Sequence, residues 1–227
     1  MNSVSIRTTR LHRAVSDALL SMRRPAALAS ISLATGAGAT ALPALALDVD
    51  LAATTVGSHA RQHDGALLVL DAGVENAEVL TRDLPTGVRV ARLPADVAPL
   101  RGLEMLLEAH PGTRELHVVS HGGPGRLDFA GGAVDADALA ASADRLAGWF
   151  DGVERPEIVL YGCDVAADER GLAFIDALAR HTRARISASD DPTGAAASGG
   201  DWTLERSTAL AAREPLFGDA ARAEFEG

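Results

Sequence analysis

From residue 66 onward, short continuous apolar runs alternate with stretches of helical spacing. Ala66–Leu70 is apolar throughout and stops at Asp71-Ala72-Gly73, which predicts a buried strand followed by a turn. Val74, Ala77, Leu80 and Leu84 then recur at helical intervals, predicting a helix over 74–84 before the turn Pro85-Thr86-Gly87. Further strands are expected at Val88–Leu93, Glu115–Ser120, Ile158–Tyr161 and Arg185–Ala188. Helices are expected at Val97–Ala109, stopped by His110-Pro111-Gly112, at Asp135–Phe150 and at Asp168–His181. A Gly-rich hairpin fills Gly122–Val134, and Trp202-Thr203-Leu204 suggests a small closing strand. Strands alternating with helices imply parallel βαβ units, with helices on both faces of one sheet. The fold class expected is therefore α/β, a three-layer sandwich with a mostly parallel sheet.

The chain before residue 66 has a different character. Met22-Arg23-Arg24 precedes an apolar, small-residue run from Pro25 to Leu42, and Pro43-Ala44-Leu45-Ala46 ends in a small-x-small pattern. A charged start, apolar middle and Ala-x-Ala exit predict a secretory signal peptide over 1–46, cut after Ala46. Translation from Met22 would give that signal an ordinary length. Gly36, Gly38 and Pro43 argue against an uncleaved membrane anchor. Residues 47–64 show no apolar period and are expected to be a linker, 65–206 the α/β domain, and 207–227 a C-terminal tail. The expected location is secreted, periplasmic or at the cell surface, with no membrane contact after cleavage.

Composition narrows the function classes. Apolar residues make up 47% of the 227 and aromatics only 4%, so the core must be aliphatic. All the basic residues are Arg, and the formal net charge is −10. Five of the 21 basic residues and one of the 31 acidic ones precede residue 47, leaving 16 and 30 and a net charge near −14. Without a basic patch, nucleic acid is not an expected partner. A single cysteine, Cys163, cannot form an internal disulfide, and with the scattered His residues it matches no known zinc spacing. No metal and no cofactor is expected.

Functional groups in open parallel sheets collect just past the carboxyl ends of the strands. One strand runs into His121-Gly122-Gly123, the next into Gly162-Cys163-Asp164, and the last into Ser189-Asp190-Asp191. If the first two strands are neighbours, His121 and Cys163 face one crevice. A thiol beside an imidazole can become a thiolate nucleophile, and the amides of Gly122 and Cys163 are candidate oxyanion donors. Alone, Cys163 could be inert packing and His121 polar surface. His117, inside its strand, is expected to be structural.

Strand-His-Gly, about forty residues, then strand-Cys resembles the caspase-like clan of cysteine peptidases. More closely, residues from about 66 to 206 look like domain of unknown function four-three-four-seven, found near the N-termini of large bacterial surface and adhesin-like proteins. The stretches that carry this are Leu67–Asp71, His117–Gly122, Leu160–Ala166 and Ser187–Gly194, with Gly200-Asp201-Trp202. The resemblance implies a caspase-like, flavodoxin-related sandwich and an endopeptidase using Cys163 and His121. It also implies a pocket lined by Asp71, Asp164 and Asp190 for a basic residue before the scissile bond. Against that pocket, Asp71 could instead cap the following helix and Asp190-Asp191 form a turn. The expected partner is a polypeptide substrate or an exported surface protein. A non-catalytic surface module is the alternative. A flavodoxin-type ligand domain fits less well, because Asp71-Ala72-Gly73 offers no Gly-rich phosphate loop.

Overall fold

A computed structural model of the protein describes residues 63–210 and 213–226; the expected signal peptide and all but two residues of the expected linker lie outside them. The predicted runs form a six-stranded sheet. Its strands are β1 (Ala66–Asp71), β2 (Arg89–Leu93), β3 (Glu115–Val119), β7 (Glu157–Tyr161), β8 (Arg185–Ala188) and β9 (Arg206–Ser207), in the order β2-β1-β3-β7-β8-β9. The first five are mutually parallel and β9 pairs antiparallel with β8. The continuous apolar runs have their cause here: β1 is buried along its whole length, because both sheet faces are covered.

On one face, Leu67, Val69, Leu116, Val118, Ile158, Leu160 and Ile186 pack beneath α1 (Pro99–Ala109), α2 (Ala136–Ala141), α3 (Ala143–Leu146) and α4 (Asp168–Thr182). On the other, Leu68, Leu70, Val119, Val159 and Tyr161 meet a 3-10 turn at Ala77–Thr81 and the end of the chain. That end carries α5 (Asp219–Glu224) and supplies Leu216, Phe217 and Phe225 to the core. Residues 213–226, within the expected tail, thus complete the second layer, and the fold is a three-layer α/β sandwich. A small antiparallel sheet of β4 (His121–Gly123), β5 (Arg126–Phe129) and β6 (Gly132–Asp135) replaces the simple hairpin expected.

Three local departures from expectation have physical causes. Asn76 sits in the left-handed region (φ 51°), so α-helix geometry cannot run through 74–84 and only the 3-10 turn forms. Ser142 (φ −110°, ψ 13°) breaks the expected 135–150 helix into α2 and α3, and Asp135 caps the first by accepting the Ala138 N–H at 2.9 Å. The closing strand falls at Arg206–Ser207 rather than at 202–204. Trp202 turns into the second core instead, against Phe217 and Phe225. Among the described residues, no helix is long and apolar enough to cross a membrane.

Candidate active site

The adjacency of β3 and β7 assembles the site. Val119 lies opposite Tyr161, and the Ser120 N–H donates to the Tyr161 carbonyl at 3.2 Å, extending the pairing one residue further. Both chains therefore leave the sheet at the same edge. The first continues into His121, the second into Gly162-Cys163. The two exits run so close that side chains are excluded: a Cβ on Gly122 would lie 2.6 Å from Val165 Cγ2 and 3.0 Å from the Cys163 carbonyl.

His121 is exposed, and its Nε2 lies 3.2 Å from the carbonyl oxygen of Gly73, just past β1. A carbonyl can only accept, so Nε2 is the donor in this contact, and in a neutral imidazole that leaves Nδ1 as the acceptor nitrogen a general base needs. Cys163 is half-buried, and its thiol donates to the Thr193 carbonyl at 3.6 Å. Thr193 in turn donates its hydroxyl to the Gly162 carbonyl at 3.3 Å. His121 and Cys163 line one cavity of about 20 Å³ together with Tyr161, Thr193, Trp202 and Phe225. That volume holds about one water molecule, so a larger ligand would lie across its mouth. Among the described residues, no acceptor meets the Cys163 backbone N–H.

The three candidate pocket carboxylates are placed differently. Asp71 is 1% exposed; its Oδ2 accepts the N–H groups of Gly73 (2.9 Å) and Ala130 (3.0 Å), and Oδ1 is buried without a partner among the described residues. It closes the turn after β1 and does not cap the helix that follows, whose N-cap position is Asn76 without a side-chain bond. Asp164 adopts φ 59° immediately after the thiol, and its N–H donates to the Asp191 carbonyl at 2.8 Å. Asp190 accepts from Arg206 Nε at 2.6 Å and forms, with Asp191 and Glu205, a group whose carboxylate oxygens lie within 4.8 Å of one another. None of the three carboxylates lines the thiol cavity itself. The 189–191 loop is nevertheless stitched to the cysteine loop, since the Ala166 N–H also donates to the Ser189 carbonyl at 2.9 Å.

Beneath the site lies a polar chain of structural character. The Leu216 N–H donates to the Tyr161 hydroxyl at 3.0 Å, Tyr161 donates to His117 Nδ1 at 3.0 Å, and His117 Nε2 points to Glu115 Oε2 at 3.5 Å. Glu115 also pairs with Arg213 and, at 3.2 Å, with His63. Burial holds the His117 imidazole below its ordinary basicity, against the opposing pull of Glu115. Hydrogen bonding from His117 and Arg213 holds the Glu115 carboxyl well below the usual range, and burial pushes the Tyr161 phenol up. Sequence reasoning did not find the Gly73 and Thr193 carbonyls or Phe225. Backbone acceptors leave no side-chain signature, and Phe225 lies in a stretch that is otherwise mostly polar.

A family model described as Domain of unknown function (DUF4347) matches residues 67–227. No curated protein matches the sequence. The match covers most of the chain, α5 included, and the chain belongs to this family.

Proposed function

Starting from a member of the DUF4347 family, we propose an exported, caspase-like cysteine endopeptidase with Cys163 as nucleophile and His121 as general base. The observation that carries this reading is the shared cavity: two adjacent parallel strands lead into a thiol and an imidazole that line one notch. His121 Nδ1 takes the thiol proton and Cys163 Sγ bonds to the scissile carbonyl carbon. The oxyanion that forms is met by the Cys163 and Gly122 amides. The C–N bond then breaks as the imidazolium returns its proton to the leaving amine. Water, deprotonated by His121, hydrolyses the thioester to a carboxylate and restores the thiol.

The acidic loop beside the cysteine loop supports a preference for Arg or Lys before the scissile bond, with Asp164 and the Asp190–Asp191–Glu205 group as the attracting charges. Asp71, buried under the turn, would contribute only from beneath. The substrate is a polypeptide or an exported surface protein of the adhesin type. Export itself rests on the apolar segment and Ala-x-Ala exit of residues 22–46.

Two observations favour a non-catalytic surface module instead. The thiol is engaged by Thr193, and the cavity is small. Labelling with an Arg-directed acyloxymethyl-ketone probe separates the two readings. The wild type is expected to label on Cys163, and Cys163→Ala and His121→Ala are expected not to. A wild type that stays unlabelled across calcium and reductant conditions returns the protein to the module class.

A further inference from the structure

We infer that Asp71 is a positioning residue for His121, acting through the Gly73–Val74 peptide; this rests on the thiol–imidazole reading above. Asp71 ends β1, the strand beside β3, and its side chain bonds the amides of Gly73 and Ala130 rather than the imidazole. It holds instead the residue that bonds His121. Its side chain accepts the Gly73 N–H at 2.9 Å, and its backbone carbonyl accepts the Val74 N–H at 3.3 Å. The peptide unit that presents the Gly73 carbonyl to His121 Nε2 is therefore fixed on both sides of residue 73. Hydrogen bonds in series also strengthen one another, because the Val74 N–H and the Gly73 carbonyl belong to the same peptide group.

A second contact ties this turn to the chain that carries His121. Asp71 Oδ2 also accepts the Ala130 N–H at 3.0 Å, and Ala130 joins β5 to β6 in the small sheet that begins at His121. Asp71 thus sets the spacing between the imidazole and the carbonyl that orients it. The clearance is tight: a Cβ on Gly73 would lie 2.8 Å from Asp71 Oδ2 and 3.3 Å from the Ala130 Cβ. The arrangement is also costly. Asp71 is 1% exposed and its Oδ1 has no partner among the described residues, a desolvation penalty that a neutral turn-former would avoid. Only one of its two oxygens serves the turn, and both amides bind that same oxygen.

The test is the alkylation rate of the single thiol by iodoacetamide at pH 6.5, followed by intact mass on the full chain. The His121-dependent part of the rate is obtained against His121→Ala. Asp71→Ala is expected to lower that part roughly tenfold to a hundredfold, the scale of a small misplacement of a reacting group. Asp71→Asn keeps an acceptor oxygen for both amides and is expected to recover the rate to within about threefold of wild type. Should Asp71→Ala fail to fold, Gly73→Ala keeps the Asp71 carboxylate but presses a Cβ against its Oδ2, which displaces the same carbonyl and is expected to give the same loss. An unchanged rate in folded Asp71→Ala or Gly73→Ala, or no recovery in Asp71→Asn, overturns the inference alone. A His121→Ala protein alkylated as fast as wild type removes the thiol–imidazole reading itself.

Discussion

His121 and Cys163 owe their placement to residues that have no side chain. Gly122 and Gly162 let the two strand exits run against each other, and a Cβ on Gly162 would come within 3.1 Å of the Ser120 carbonyl. Gly122→Ala must push its chain off Val165 and the Cys163 carbonyl. It is expected to cost roughly 1–3 kcal/mol by overpacking and to abolish probe labelling even at temperatures where the variant stays folded. Urea denaturation together with labelling checks both effects; full labelling at wild-type stability would contradict the crowding argument. The sequence marks these positions as His-Gly and Gly-Cys after apolar runs, so the residue pair and its glycines were legible. Its partners were not: His121 and Cys163 are each met by a backbone carbonyl, from Gly73 and Thr193, at positions whose residue type says nothing about acceptance.

Among the elements, the central strands were the easiest to anticipate, because burial on both faces makes β1, β3 and β7 nearly continuous apolar runs. The strand at Arg185–Ala188 has the bounds its sequence suggests. Elements whose termini depend on one backbone angle were harder, as Asn76 and Ser142 show. The C-terminal segment was the largest departure. Its apolar residues are mostly Ala and show no long strand or helix period, yet Phe217 packs at 4.8 Å from the Tyr161 ring and 5.2 Å from the Trp202 ring. Tyr161 and Trp202, with Phe225, line the cavity that His121 and Cys163 share, and Phe217 packs behind them. Phe217→Ala is expected to destabilise the fold by about 3–5 kcal/mol, measured by urea denaturation. A loss below about 1 kcal/mol would mean that the segment merely rests on the sheet.

At the scale of the whole molecule, stability and site are coupled through the buried chain Glu115–His117–Tyr161. His117 is held neutral by burial, so the unfolded chain takes up its proton first as pH falls below about 6.5. The Glu115 carboxyl is held ionised, so the unfolded chain again binds more protons below about 4.5. Both effects have the same sign. Folding stability is expected to be at its full value at neutral pH and to fall as pH drops through 6.5 and on past 4.5. His117→Gln is expected to flatten the upper part of that fall, and a variant with the wild-type slope between pH 7 and 5 would contradict this role. The formal net charge of −10 would favour the approach of the Arg- or Lys-bearing polypeptide proposed as substrate. All of this serves one central claim, that the thiol and the imidazole work across a single notch. With one cysteine in the chain, a short bifunctional haloketone tests it directly. Treatment with 1,3-dibromoacetone followed by peptide mass mapping is predicted to join Cys163 to His121 through one three-carbon bridge, and the joined peptide should vanish in His121→Ala. Recovery of Cys163 carrying only a one-ended adduct, or bridged to any other residue, would contradict the account.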